Sequence, residues 1–133
     1  MKYAYPAVFT FDKEDNCYYV SFPDIENCFT DGEGLPEAIE MAEDVLALML
    51  CQMEDDKAKI PAPTDINTIK PKNNETVSLV FADTMEYRRL YDSKAVKKTL
   101  SIPSWLNAMA ERQGVNFSAV LQSALKDRLG INE

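Results

Sequence analysis

The sequence predicts an α+β chain in two parts. The first is strand-rich and carries one long helix; the second is a short strand–helix–helix unit. Three observations predict this. Runs with period-two alternation and β-prone composition precede runs with three- and four-residue apolar spacing, in both parts. The charge changes sign along the chain: Met1–Asp92 holds 8 Lys and Arg against 19 Asp and Glu, a net −11, whereas Ser93–Glu133 holds 6 against 3, a net +3. The length of 133 residues suits one domain or two small ones, and 46% hydrophobic with 27% charged residues is ordinary for a globular protein.

The elements follow in order. YPAVFTF (Tyr5–Phe11) and CYYVSFP (Cys17–Pro23) flank the polar turn DKEDN and read as a hairpin. CFTD (Cys28–Asp31) is a short third strand, and GEG after it supplies a tight turn through Gly32 and Gly34. A helix starts near Leu35–Pro36, proline being acceptable in a first turn. Its apolar face is expected from Leu35, Ala38, Ile39, Ala42, Val45, Leu46, Met49 and Met53, with Glu37, Glu40, Glu43 and Asp44 mostly opposite. That acidic face reads as a solvated surface or as a docking surface. Lys59–Asn74 is proline-rich loop, ETVSLVFAD (Glu75–Asp83) a fourth strand, and Met85–Asp92 a short connecting helix. The expected division is 1–83 for the first domain, 84–94 for a linker and 95–133 for the second domain.

Composition excludes several function classes. The chain has no histidine, which removes Ser-His and Cys-His catalysis and the commonest general base. Cys17, Cys28 and Cys51 are widely spaced, form no CxxC pair and read as reduced thiols without an assigned role, so neither a metal nor a cofactor is expected. The strongest apolar run, Val45–Cys51, is far short of the roughly 18 residues of a membrane span. The N-terminal MKYAYPAVFTF lacks the features of a signal peptide, so a cytoplasmic location is expected.

The second part begins with KKTLSIP (Lys97–Pro103). Leu100 and Ile102 lie on one side of an expected strand, and Lys97, Thr99 and Ser101 on the other. Lys98 falls on the nominally buried side, where its stem can run along the strand with the amine free. One helix follows over Ser104–Gly114, with Ser104 as expected N-cap and Gly114 as stop; a second is capped by Asn116. Trp105, Leu106 and Met109 on the first, and Phe117, Val120, Leu121 and Leu125 on the second, are apolar and need cover. About 40 residues without disulfide or metal rarely bury enough surface alone. A second copy solves the problem: two strands pair as an antiparallel ribbon over four helices, a shape the DNA major groove accepts. The alternative is an ordinary edge strand kept soluble by lysine.

This strand–Pro–helix–Gly–helix pattern, over Ala95–Gly130, resembles the ribbon-helix-helix family of DNA-binding proteins. The resemblance implies that Lys97, Thr99 and Ser101 reach base edges. It implies phosphate contact at the start of the second helix, at Asn116, Phe117 and Ser118. The dimer core would be Leu100, Ile102, Trp105, Leu106, Met109, Phe117, Val120, Leu121 and Leu125, with association beyond a dimer left open.

The first part also carries a resemblance. The hairpin YPAVF…YYVSFPD, the CFTDGEG turn and the acidic-apolar helix, over roughly Tyr3–Pro63, are similar to the HicB antitoxin family. That implies a partial RNase H-like fold, no catalytic activity, and a HicA-like mRNA-cleaving toxin as partner, with operator repression through the C-terminal dimer. Two other functions compete. One is a ribbon-helix-helix regulator whose first domain senses a small ligand. The other is a carboxylate-dependent nuclease, for which Asp12, Asp24, Asp31 and Asp44 match no catalytic pattern.

Overall fold

The computed structural model describes residues 1–131. It divides into two compact units, unit 1 of Met1–Lys94 and unit 2 from Ala95 on. Unit 1 contains β1 (Lys2–Asp12), β2 (Cys17–Ser21), β3 (Phe29–Gly32), α1 (Leu35–Asp55), a short 3₁₀ turn (Ile66–Thr68), β4 (Glu75–Asp83) and α2 (Thr84–Tyr91). Unit 2 contains α3 (Ser104–Arg112) and α4 (Phe117–Leu129). None of the helices is long and apolar enough to cross a membrane, among the described residues.

The sheet is antiparallel throughout, in the order β3-β2-β1-β4. The β1–β2 turn is set by Asp12, whose carboxylate accepts the Glu14 amide at 2.9 Å, and by Asn16 at φ 51°, a left-handed position that Asn tolerates. β1 pairs with β4 from Lys2↔Asp83 to Thr10↔Glu75. Pairing with β2 begins only at Val8↔Ser21. Pro6 therefore lies where β1 has a single neighbour, and its missing N–H costs no ladder bond to β2.

Alternation decides the core. Tyr5, Ala7 and Phe9 share one face of β1, with Val20 opposite Phe9 and Val80 opposite Tyr5, and all are buried. α1 covers this face with Ala38, Ala42, Leu46 and Leu50. The buried face of α1 is rotated from the expected one: Leu35 and Ile39 are exposed, whereas Ala47, Leu50 and Cys51 are buried. The reason is that α1 is covered from two sides, by the sheet and by α2. Near its start α1 passes very close to β3. A Cβ on Gly32 would lie 2.5 Å from the Ala38 amide nitrogen, so only hydrogen fits.

The short connecting helix expected within the 84–94 linker forms as α2, and it is fastened to α1. Asp83 caps α2 by accepting the Met85 and Glu86 amides. Arg88 donates to Glu54 at 3.1 Å and to the Cys51 carbonyl at 3.1 Å, and pairs with Asp55 at 2.9 Å. The other Glu54 oxygen accepts from Tyr3 at 2.8 Å and from buried Thr84 at 3.1 Å. One carboxylate thus joins β1, α1 and α2. The long loop is pinned as well: the Tyr5 hydroxyl donates to the Pro61 carbonyl, and Asp24 accepts from the Thr64 amide and hydroxyl.

In unit 2 the expected strand Lys97–Pro103 is absent from the single chain, because Lys97–Ile102 makes no backbone hydrogen bond among the described residues. A strand exists only with a partner strand. The cap of α3 also differs from expectation: Pro103 holds the N-cap position without a side-chain bond, and Ser104 is the first helical residue. Asn116 does cap α4, accepting the Ala119 amide at 3.1 Å. Gly114 ends α3 at φ 65°, which lets the Val115 amide reach back to the Ala110 carbonyl at 3.1 Å.

Two predictions follow from this packing. Gly32→Ala forces helix and strand apart and is expected to cost about 1–3 kcal/mol, read as a lower urea midpoint with unchanged slope. The second concerns Glu54. Burial pushes its carboxyl pKa up, but hydrogen bonds from Tyr3, Arg88 and Thr84 outweigh this and leave it below its ordinary 4.5. The unfolded chain then binds the extra proton first. Stability from this group is present above pH 4.5 and is lost as pH falls through the lowered value. Urea unfolding of Glu54→Gln should show lower stability at neutral pH and a shallower acid decline than the parent.

Candidate functional site

Unit 2 has a structure its own residues do not complete. No described residue from Ala95 on is buried. Trp105 is 65% exposed and Val120 56%, and Leu100, Ile102, Leu106, Met109, Phe117 and Leu125 are exposed too; Leu121 is half-buried. Leu100 and Ile102 line one open groove with Phe117, Val120 and Leu121 of α4. The apolar sides of the Lys97–Pro103 segment and of α4 therefore converge, as the alternation requires. Lys98 lines this groove and also the one beside it that Lys97 and Thr99 line.

Lys97, Thr99 and Ser101 are exposed, and their side chains make no hydrogen bond or ion pair among the described residues. Lys97 and Thr99 line a second groove with Ser118 and Gln122 of α4. At the start of α4, Asn116 uses its side chain on the Ala119 amide, and its carbonyl takes the Val120 amide at 3.0 Å. The Phe117 and Ser118 amides have no acceptor among the described residues. Two open amides at a helix N-terminus, beside a polar segment, form an arrangement that accepts an anion.

The four aspartates of unit 1 considered as nuclease ligands are dispersed. Asp12 sets a turn and Asp24 holds the loop at Thr64, while Asp31 lies in β3 and Asp44 on α1. These acids do not converge, and no group of three or more metal-ligating side chains occurs among the described residues. Cys28 and Cys51 are buried and Cys17 half-buried, all as free thiols. Burial pushes the Cys28 thiol up to about 11, which leaves it unreactive.

One surface of unit 1 escaped the sequence reading. Tyr87, Leu90 and Tyr91 on α2 face an open groove shared with α1 and the end of β4. Their three- and four-residue spacing was visible in MEYRRLY, but a helix treated as a connector is given no apolar face.

Comparison with known proteins places the chain. Residues 4–88 match the family model for the HicB-like antitoxin of bacterial toxin–antitoxin systems. Antitoxin HicB 1 of Photorhabdus laumondii is 44% identical over 50 residues, a segment spanning 38% of this chain and 32% of that relative's length. A chain solved in a toxin–antitoxin complex from Streptococcus pneumoniae is 32% identical, with a TM-score of 0.63 over 96% of this chain and 99% of that one. The antitoxin HicB of Burkholderia pseudomallei shares the fold at 20% identity, with a TM-score of 0.55 over 96% of this chain and 98% of its own. The family model covers nearly all of unit 1 and the Streptococcus chain extends the likeness through unit 2, so the chain belongs to the HicB-like antitoxin family.

Proposed function

We propose that the chain is the antitoxin of a type II toxin–antitoxin pair. In this reading unit 1 neutralises a HicA-like mRNA-cleaving toxin. Unit 2 forms a ribbon-helix-helix homodimer that binds operator DNA and represses the operon. Unit 1 takes the part of the partial RNase H-like domain, with α1 packed on a small antiparallel sheet. Family membership and the Streptococcus relative solved in a toxin–antitoxin complex support the first half.

The observation that carries the second half is the uncovered apolar face of unit 2. Leaving Val120 and Leu125 half in water forgoes roughly half of the about 1.5–3 kcal/mol that full burial of each would bring, and Trp105 is more exposed still. A second copy covers this face, and the same pairing completes the strand at Lys97–Ile102. The ribbon then presents Lys97, Thr99 and Ser101 twice, and the open Phe117 and Ser118 amides meet a phosphate on each side. No catalysis is assigned to the chain.

Three outcomes test this. A HicA-like protein is expected to be encoded beside the gene; its expression should arrest growth, and co-expression of this chain should restore it, whereas failure to restore rejects the antitoxin role. The triple variant Lys97→Ala, Thr99→Ala, Ser101→Ala should remain a dimer by sedimentation. It should lose discrimination between operator and random DNA, by about 1–3 kcal/mol for each good base contact removed. Ser118→Glu sets a carboxylate against the phosphate position and should weaken binding to both DNAs by a similar factor. Unchanged operator preference in the triple variant rejects the base-contact assignment.

A further inference from the structure

We propose that the groove between α1, the end of β4 and α2 is where unit 1 receives an arginine or lysine of its protein partner, anchored on a cationic segment of the toxin. This rests on the antitoxin reading and specifies where the toxin docks.

Glu40, Glu43 and Asp44 form one wall. They project from one side of α1 at three- and four-residue spacing, all exposed, and make no hydrogen bond or ion pair among the described residues. Like charges at this spacing repel and weaken the helix. Nothing in the lining offsets them, because the groove contains no basic residue. Arg88 points away, toward Glu54 and Asp55, and Arg89 pairs with Glu86 on α2 at 3.1 Å.

The other wall is mainly aromatic and apolar: Leu90 is 66% and Tyr91 69% exposed, beside half-buried Tyr87. Asp83 and Glu86 also line the groove, but Asp83 caps α2 and Glu86 is paired with Arg89. The Tyr87 and Tyr91 rings lie 4.7 Å apart. Asp44 is close enough to act on Tyr87: burial first, then the Asp44 charge, raises that hydroxyl's pKa.

Carboxylates facing aromatic rings make a receptor for a cation on a long apolar stem. The carboxylates supply charge-assisted hydrogen bonds, the rings a cation–π surface, and Leu90 contact for the methylenes. Arginine uses all three and recurs as an interface anchor. Size narrows the occupant. The groove holds about 270 Å³ and is open, so it would leave much of a small ligand in water, whereas small-molecule sites bury roughly 70–90% of theirs; that suits an anchoring side chain of a larger partner better than a sensed metabolite. The wall of like charge also excludes phosphate-bearing nucleic acid. A cationic protein segment is the occupant that meets both walls.

The test measures binding of full-length variants to the purified neighbouring toxin by titration calorimetry at two salt concentrations. Glu40→Lys with Asp44→Lys reverses the acidic wall. Leu90→Ala with Tyr91→Ala removes part of the apolar wall without altering charge. Glu14→Lys with Glu26→Lys makes the same charge change at exposed positions elsewhere in unit 1 and controls for long-range attraction. Circular dichroism and retained operator binding verify folding. Both groove variants should weaken the complex at least about tenfold, and the control less than about threefold. Groove variants that bind like the parent or like the control overturn the docking site while leaving the antitoxin role intact. A parent chain that does not bind the toxin overturns both.

Discussion

The pairing of β1 with β4 is the constraint on which unit 1 depends. The two strands lie at opposite ends of the unit, yet pair over nine positions. Closing that ladder orders the hairpin, the long helix and the loop between them, at an entropic cost that grows only slowly with loop length. Glu54 secures the end of the ladder. Its carboxylate meets the Tyr3 hydroxyl from β1, Thr84 at the exit of β4 and Arg88 from α2. These groups offset the cost of partly burying a charge, as charge-assisted bonds can when geometry satisfies both oxygens. The exit from β4 then fixes where α2 lies, and α2 supplies one wall of the acidic–aromatic groove.

The two units are incomplete in different ways. Unit 1 has a core of its own, and its unfinished surface is electrostatic: unpaired carboxylates facing exposed rings. Unit 2 has no buried residue among those described, and its unfinished surface is apolar. The first kind of surface selects a partner of opposite charge and speeds encounter. The second is the kind that association with another apolar surface covers. These are the surfaces that the proposed toxin contact and the proposed self-association would cover.

Local features were legible in the sequence where one rule dominated. ETVSLVFAD gave β4 to the residue, and Asn116 caps α4 as its type requires. Leu100 and Ile102, expected on the buried face of a strand, are exposed in the single chain and line one groove with α4. Errors arose where two elements shared a decision. The α1 face was misaligned at Ile39 and Leu50 because a helix covered on two sides does not keep one simple stripe. Ser104 lost the cap to Pro103, whose fixed φ suits a helix start though it offers no side-chain acceptor.

By itself the sequence determined the element types of unit 1 and the two helices of unit 2, the charge division, the absence of histidine chemistry and the apolar excess of the C-terminal part. Those are properties of composition and short-range periodicity, and they need no partner to be read. Only the tertiary structure decided that residues 84–94 belong with α1, that Gly32 must lack a side chain, and that Glu40, Glu43 and Asp44 confront Tyr87 and Tyr91 across a groove. Each of these is a contact between residues about 6 to 50 positions apart, set by how strands pair and helices pack, and no local pattern encodes such a distance.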